Sequence, residues 1–218
     1  MQANDINIAV HIGMGAAGLA CGLLPLLSNK GSRIHRRSGR VFVIMAGIVL
    51  GTAILADIFL DVPMALLAAT LAATYQYVSS LRSLAMHTRP PSAVDAVLAL
   101  AALTGCVWIV LSKSSGTASW PPMIAYSTAA YVACIALYDL SRPFWATYWL
   151  RRIRPLDHGI KMTGCYFAML SSGAGNLLKH AQPWSQVIPS SLGIIVMAAM
   201  VGGYLAKHTD TCSGLAMD

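Results

Sequence analysis

The stretch VFVIMAGIVLGTAILADIFL, residues 41–60, determines the fold class of this chain. Its twenty residues contain a single charged side chain, Asp57. A helix that crosses the hydrocarbon core of a bilayer needs roughly 20 consecutive apolar residues. The stretch therefore predicts a transmembrane helix, with Asp57 at membrane depth near one end of it.

Six further apolar runs flank this stretch. Short segments rich in Pro, Gly, Ser and Asn separate them, and such segments favour turns. The additional predicted spans cover residues 7–27, 63–84, 93–112, 122–141, 159–178 and 187–206. With residues 41–60 they predict an all-α, polytopic membrane bundle of about seven transmembrane helices, forming one domain over residues 1–218.

The overall composition points to the same class. The 218 residues are 56% hydrophobic and 11% charged, with a mean hydropathy of +0.63. Soluble domains carry about 25% charged residues, and disordered chains have far fewer apolar residues. The five cysteines are scattered and form no CxxC pair, which argues against a disulfide scaffold and against a cysteine metal site.

The lysine and arginine residues predict how the helices are oriented. Thirteen of the fifteen fall on one side, in the first, third and fifth loops and in the tail, while Lys113 and Lys179 fall on the other. Because basic loops stay in the cytoplasm, we expect the N-terminus outside and the C-terminus in the cytoplasm. The net charge of +7 then reflects anchoring to the anionic lipid bilayer, and we expect no nucleic-acid partner.

The first predicted helix is expected to be a true span. Residues 1–7 contain no Lys or Arg, unlike the start of a signal peptide. His11 shares one face of this helix with Gly15, Gly18 and Gly22. Such a glycine stripe indicates close helix packing. The alternative is a porphyrin lying along the helix with His11 as an axial ligand, and His11 is also expected at a depth similar to that of Asp57.

The sixth predicted helix carries a polar stripe. Its members recur at alternating spacings of four and three residues: His158, Met162, Cys165, Met169, Ser172 and Asn176. One interpretation is an interior packing face, in which Met fills gaps and Ser and Asn bond to neighbouring helices. The other interpretation is the lining of a redox cofactor.

Histidines at two membrane levels suggest electron transfer. A b-type haem iron takes two imidazoles from facing helices, and electrons cross the membrane between two such haems. We therefore consider His11 and His158 as haem ligands, His35 as a third candidate and Met162 as an alternative axial ligand. His87, His180 and His208 are expected to be interfacial side chains.

The first loop forms a basic hook. Gly31 and Gly39 permit tight turns around His35, and Arg36 and Arg40 lie beside it. Arginine forks bind carboxylates and phosphates, so these two arginines are candidates for haem propionates, a phosphate or a quinone head group. Anchoring to lipid head groups is the alternative.

Several other chemistries lack their required residues. The sequence contains no Glu and no HExxH, which argues against an intramembrane metalloprotease. A nucleotide-binding fingerprint is also missing. A retinal protein needs a lysine in the middle of its last helix, but Lys207 lies at the end of the last predicted span.

The first loop and its flanks resemble a family of uncharacterised bacterial seven-helix membrane proteins. The matching residues are His11, Ile12, Gly13, Gly15, Ala16, Gly18, Leu19 and Gly22, followed by the run from Lys30 to Phe42 and by Met45. In that family the first helix begins with His-Ile and the first cytoplasmic loop reads roughly K-G-x-x-H-R-x-x-G-R. The resemblance implies about seven helices in the bacterial inner membrane and implies no activity.

A second element of the family is matched more loosely. Residues 157–162 resemble an Arg-His-x-x-Arg-Met element, but Asp157 and Lys161 replace its arginines. The resemblance therefore carries no shared role for this helix.

Two functions from different classes follow from these residues. The first is electron transfer by b-type haem or a bound quinone. The second is a non-catalytic role, as an accessory subunit of a larger membrane complex or as a small-solute carrier. Small-residue faces on the first helix and around Gly47 and Gly51 favour association with a partner or a second copy.

Overall fold

A computed structural model describes residues 3–60, 62–86, 89–116 and 121–214, with side chains from Asn4 to Ala206 within these ranges. The described part of the chain contains helices and no strand. Its long helices are α1 (Ala3–Leu27), α2 (Arg33–Phe59), α3 (Met64–Ala85), α4 (Ala93–Ser114), α5 (Pro122–Ser141), α6 (Arg154–Leu177) and α7 (Trp184–Gly214).

Membrane-length apolar helices are confirmed. In the described residues, 5 helical stretches are long and apolar enough to cross a bilayer: Asn4–Leu27, Arg33–Phe59, Ala93–Ser114, Pro122–Leu177 and Trp184–Ala206. The fourth includes both α5 and α6. Helix α3 is not among them, because its second half is rich in polar side chains. The number of crossings and their direction stay predictions.

Several helices begin earlier than their apolar runs do. Helix α2 starts at Arg33 rather than at residue 41, because the Ser32 hydroxyl accepts a hydrogen bond from the His35 backbone N–H at 3.1 Å and caps the helix. Helix α6 starts at Arg154 rather than at residue 159, with Pro155 in its first turn, where a missing N–H costs nothing. Hydropathy marks the apolar middle of a helix and misses its polar ends.

Lys30 caps the C-terminal end of α1, where the first loop begins. Its ammonium donates hydrogen bonds to the carbonyls of Pro25 and Leu26, at 3.0 and 2.8 Å, and so satisfies the end of α1. Partial burial lowers the pKa of this ammonium from its ordinary value. We call the end of the bundle that holds this loop the loop-1 end.

Residues 142–153 connect α5 to α6 without extending either helix. They form a 3₁₀ turn (Arg142–Trp145), one α turn (Ala146–Tyr148) and a π turn (Trp149–Ile153). Single π turns are rare in proteins overall, and many of those that occur lie at functional sites. This connection lies at the loop-1 end, where α5 ends and α6 begins.

Helices α3 and α6 form the centre of the bundle. Helix α3 contacts α2, α4, α5 and α6, and α6 also contacts α1 and α7. Helices α1 and α2 pack together on one side, and α4 and α5 pack together on the other. These two enclosed helices carry most of the buried polar side chains of the described residues.

Two apolar cores flank this centre. The core between α3, α4 and α5 is rich in alanine, including Ala68, Ala99 and Ala125, each 0% exposed. Small side chains let helix backbones approach closely in a membrane. The core between α2 and α6 is built from larger side chains, including Phe42 and Tyr166.

The glycine stripe of α1 is occupied by packing within the chain. A Cβ atom on Gly22 would lie 2.8 Å from ring atoms of both Phe42 and Tyr166, and one on Gly18 would lie 3.3 Å from Cβ of Met45. The stripe therefore seats α1 against α2 and α6, in agreement with the packing interpretation of these glycines.

Replacing Gly22 with leucine is expected to lower the melting temperature of the detergent-solubilised protein by several degrees. The added side chain collides with two rings, and overpacking of this kind costs about 1–3 kcal/mol. Gly13→Leu is the matched control, since nothing lies within 4 Å of its Cβ position. Equal melting temperatures for the two variants would show that α1 is not packed as described.

Candidate functional site

Helix α3 presents a buried polar face to its neighbours. Gln76, Ser79, Ser80 and Ser83 are each at most 3% exposed. Helices α4, α5 and α6 surround this face. Buried hydroxyl and amide groups are stabilised only when they find hydrogen-bond partners, and these find them on α5 and α6 as well as on α3 itself.

Six ionisable residues meet beside this face, at the loop-1 end. We call them the charge cluster: Arg82 on α3, Asp95 on α4, Asp139 on α5, Arg142 just after α5, and Asp157 and Lys161 on α6. Five of them are at most 5% exposed, while the side chain of Arg82 is 31% exposed. Three carboxylates and three cations make the cluster neutral.

Lys161 bridges two of the carboxylates. Its Nζ lies 2.5 Å from Oδ1 of Asp139 and 2.9 Å from Oδ1 of Asp157. Asp157 and Lys161 are four residues apart, so they share one face of α6. The ammonium also lies 5.4 Å from the ring centre of Tyr138, which adds a cation–π contact.

Arg142 contacts all three carboxylates. Its Nε lies 3.2 Å from Oδ1 of Asp139, and its terminal nitrogens lie 3.4 Å from Oδ2 of Asp157 and 4.0 Å from Oδ1 of Asp95. The planar guanidinium can serve several oxygens at once, which a lysine cannot do with the same geometry. Arg142 therefore joins α4, α5 and α6 at one point.

The hydroxyls of α3 complete the coordination of the acids. The Tyr75 and Ser79 hydroxyls donate to Oδ2 of Asp139 at 2.7 and 2.6 Å. The Ser83 hydroxyl donates to Oδ2 of Asp157 at 2.6 Å. Hydrogen bonds to an ionised oxygen are about twice as strong as neutral ones, so these contacts hold α3 firmly against α5 and α6.

Arg82 and Asp95 form the exposed edge of the cluster. Nε and a terminal nitrogen of Arg82 donate to the two oxygens of Asp95 at 2.7 and 2.9 Å. Asp95 also closes a capping box with Ser92 at the start of α4. One carboxylate thus links the N-terminus of α4 to α3.

The π turn covers the inner side of the cluster. Trp149 is 0% exposed, and the guanidinium of Arg142 lies 5.0 Å from its ring centre. Its indole N–H donates to the Tyr138 hydroxyl at 3.1 Å. The turn therefore places the Trp149 ring against the guanidinium of Arg142. The ring excludes water there, which strengthens the interactions of this cation.

A groove along α3 reaches the cluster from the other side. It has a volume of about 340 Å³ and lies between α2, α3 and α4. Asp57, Thr70, Thr74 and Tyr75 are among its lining residues. Tyr75 lines this groove and its hydroxyl bonds to Asp139, so this side chain connects the groove with the charge cluster.

The structure places the two histidines first considered as haem ligands, His11 and His158, in hydrogen bonds within the protein. Nδ1 of His11 lies 2.9 Å from Oγ1 of Thr52, and Nδ1 of His158 lies 2.9 Å from Oγ of Ser80. His11 is within electrostatic range of Asp57, and Thr70 also lies near that carboxylate. Among the described residues, no group of three or more His, Cys, Asp or Glu could hold a metal ion.

The two histidines lie at different depths. The Tyr77 hydroxyl donates to the Val43 carbonyl at 3.0 Å, which aligns α3 with α2. Thr52 lies nine residues beyond Val43 in one direction, and Ser80 lies three residues beyond Tyr77 in the other. At 1.5 Å per residue this separates the two sites by about 18 Å along the bundle, so His11 and His158 do not ligate one iron. Haem or quinone binding stays a prediction.

The other predicted site residues lie on the surface of the loop-1 end or next to it. Nδ1 of His35 lies 3.0 Å from the Pro25 carbonyl, and Met162 is half-buried on α6. Arg36 and Arg40 are exposed and share one face with Arg33 and Arg37. This exposed face agrees equally with lipid and with a soluble anion. His87 and the side chain of His208 lie outside the described residues.

The charge cluster was not predicted from the sequence. Arg142 and Lys161 were counted among the cations that anchor lipid head groups, but both are 1% exposed and bind carboxylates. A signal was present in the pairs Asp139–Arg142 and Asp157–Lys161, which are spaced for contact on a helix. The serines of α3 at a spacing of four residues were a second signal.

Comparison with known proteins gives no relative for this chain. No family model, no curated protein and no solved structure matches it.

Proposed function

We propose that this protein is a small-solute carrier coupled to protons, with the charge cluster as its proton-binding site. The observation that carries the proposal is a set of five ionisable residues, each at most 5% exposed, inside a bundle of membrane-length helices. Ionisable side chains that are buried within such a bundle are costly, and buried ionisable groups are frequent in ion paths and proton relays.

Stability alone does not account for such a cluster. Well-packed apolar side chains of similar volume are often as stabilising as a buried ion network, or more so. The arrangement also suits proton binding. Lys161 is shared by Asp139 and Asp157, so one carboxylate can take up a proton while the other keeps the ammonium paired.

The charge cluster is connected both to the surface of the loop-1 end and to the groove. Arg82 leads from the cluster to the surface at the loop-1 end, where its side chain is 31% exposed. Tyr75 leads from Asp139 to the groove. A proton on Asp139 is thus one hydroxyl away from a solute in the groove.

The proposal includes a membrane orientation. All seven long helices cross the membrane, with the N-terminus outside and the basic loop-1 end in the cytoplasm, as the distribution of Lys and Arg indicates. A location in the bacterial inner membrane agrees with that orientation. Helix α3 crosses as an enclosed helix, which explains why a less apolar sequence suffices for it.

Proton uptake by reconstituted vesicles tests this function. A coupled carrier moves protons only with its solute, so the vesicles hold the protein, a trapped pH dye and the same mixture of short apolar amines, alcohols and carboxylic acids on both sides. They are given a potassium diffusion potential, negative inside. We expect proton uptake well above that of protein-free vesicles prepared in parallel. Uptake equal to the protein-free rate, from protein that elutes as a folded species before reconstitution, would overturn the proposal.

A further inference from the structure

The groove between α2, α3 and α4 has the composition of a site for an amphipathic solute. Its volume of about 340 Å³ falls in the range of small-molecule pockets. Aliphatic side chains form most of its walls, among them Ile54, Leu71 and Leu98. Polar groups are few, which is typical of sites that bind an apolar body and orient it by a small number of contacts.

One of these polar groups is a carboxylate without a cationic partner. Asp95, Asp139 and Asp157 each have a Lys or Arg nitrogen within 4.0 Å. Asp57 has none among the described residues, and the nearby groups that act on it are the hydroxyl of Thr70 and the imidazole of His11. A carboxylate at membrane depth favours a cation beside it.

A second group in the groove lacks a partner altogether. The Thr74 hydroxyl is buried and makes no hydrogen bond with any described residue. Thr74 lines the groove next to Tyr75 on the same helix. A buried hydroxyl without a partner is destabilising by about 1–3 kcal/mol, so a ligand that bonds to it gains affinity.

We propose that the groove binds an apolar amine in its protonated form, with the ammonium at Asp57 and the apolar body along α3. The Thr74 hydroxyl accepts a hydrogen bond from the same ammonium, which is the polar part of the solute. The proposal rests on the proposed carrier function and names its substrate class. Binding of the cation and protonation of Asp57 exclude each other, so the solute leaves when this carboxylate takes up a proton.

Equilibrium dialysis of the full-length, detergent-solubilised protein tests the site. The probe is 4-phenylbutylamine, which is protonated at neutral pH, and 4-phenyl-1-butanol is its neutral counterpart. We expect saturable binding of the amine, weaker binding of the alcohol, and a loss of amine affinity of about tenfold or more in Asp57→Asn. Asp57→Glu should restore part of the affinity. Asp5→Asn, on the exposed start of α1, should leave it unchanged.

The outcomes separate the two proposals. Amine binding that is absent from folded wild-type protein, or that is equal in Asp57→Asn, overturns the inference. If vesicles of the same preparation still take up protons, the proposed carrier function stands without this substrate class. Binding that depends on Asp57, in protein that moves no protons, supports the site and overturns the proton coupling.

Discussion

Replacing Lys161 with methionine is expected to lower the free energy of unfolding by about 3–5 kcal/mol, the usual cost of breaking a buried ion pair on one side only. Methionine fills a similar volume, so packing changes little. The loss arises because Asp139 and Asp157 are left with one cation, Arg142, in a site that is closed to water. Unfolding of the detergent-solubilised protein, followed by tryptophan fluorescence, measures it.

Two controls make this result specific. Arg36→Met removes a charge from the exposed face of α2 and should change stability by less than about 0.5 kcal/mol. The double variant Lys161→Met with Asp139→Asn restores neutrality and should recover part of the loss. If Lys161→Met is as stable as Arg36→Met, the lysine is not held by the carboxylates as described.

Replacing Trp149 with alanine is expected to lower the free energy of unfolding by about 3–5 kcal/mol. The indole is fully buried, stacks on Arg142 and donates to Tyr138. Its removal leaves a cavity beside a buried cation and opens the cluster to water. The same unfolding measurement reports the loss.

Phe144→Ala is the matched control for this variant. Phe144 lies in the same connection between α5 and α6 but is 91% exposed. Its removal should leave the unfolding of the detergent-solubilised protein almost unchanged. Equal losses for the two variants would show that the π turn does not dock on the cluster.

The sequence predicted the helices better than it predicted the site. Apolar runs such as residues 93–112 and 122–141 are local features, and helices lie over both of them. The start of α2 was placed too late, because a cap such as Ser32 extends a helix into a polar segment. Local patterns of this kind can be read without knowing which helices are neighbours.

The charge cluster depends on which helices are neighbours. Arg82, Asp139 and Lys161 lie near the ends of predicted spans, where charged side chains ordinarily face lipid head groups. Their burial follows from the position of α3 and α6 at the centre of the bundle, and no pattern within one helix specifies that position. The spacing of Asp157 and Lys161 indicates a contact within α6. It does not indicate that Asp139 of α5 also pairs with Lys161.

The haem hypothesis rests on the presence of histidines, and the structure adds which residues these histidines contact. Histidines at two levels were read as ligand pairs, but His11 bonds to Thr52 and His158 bonds to Ser80. The glycines on the His11 face of α1 hold this helix against α2 and α6. These contacts show how the two histidines and the glycines are used within the chain, and haem binding stays a prediction.

Proton uptake by the Asp139→Asn variant tests the central claim most directly. Asparagine keeps the shape of the side chain but cannot take up a proton in place of the carboxylate. Beside wild type, we expect its vesicles to take up protons at the protein-free rate, while Asp5→Asn keeps the wild-type rate. Tyr75→Phe removes only the hydroxyl between the groove and Asp139, and its vesicles should also take up protons more slowly than wild type. This variant replaces Asp139→Asn in the test if Asp139→Asn does not fold. Wild-type rates in the folded variants would contradict the account, because the proton would then cross without the charge cluster.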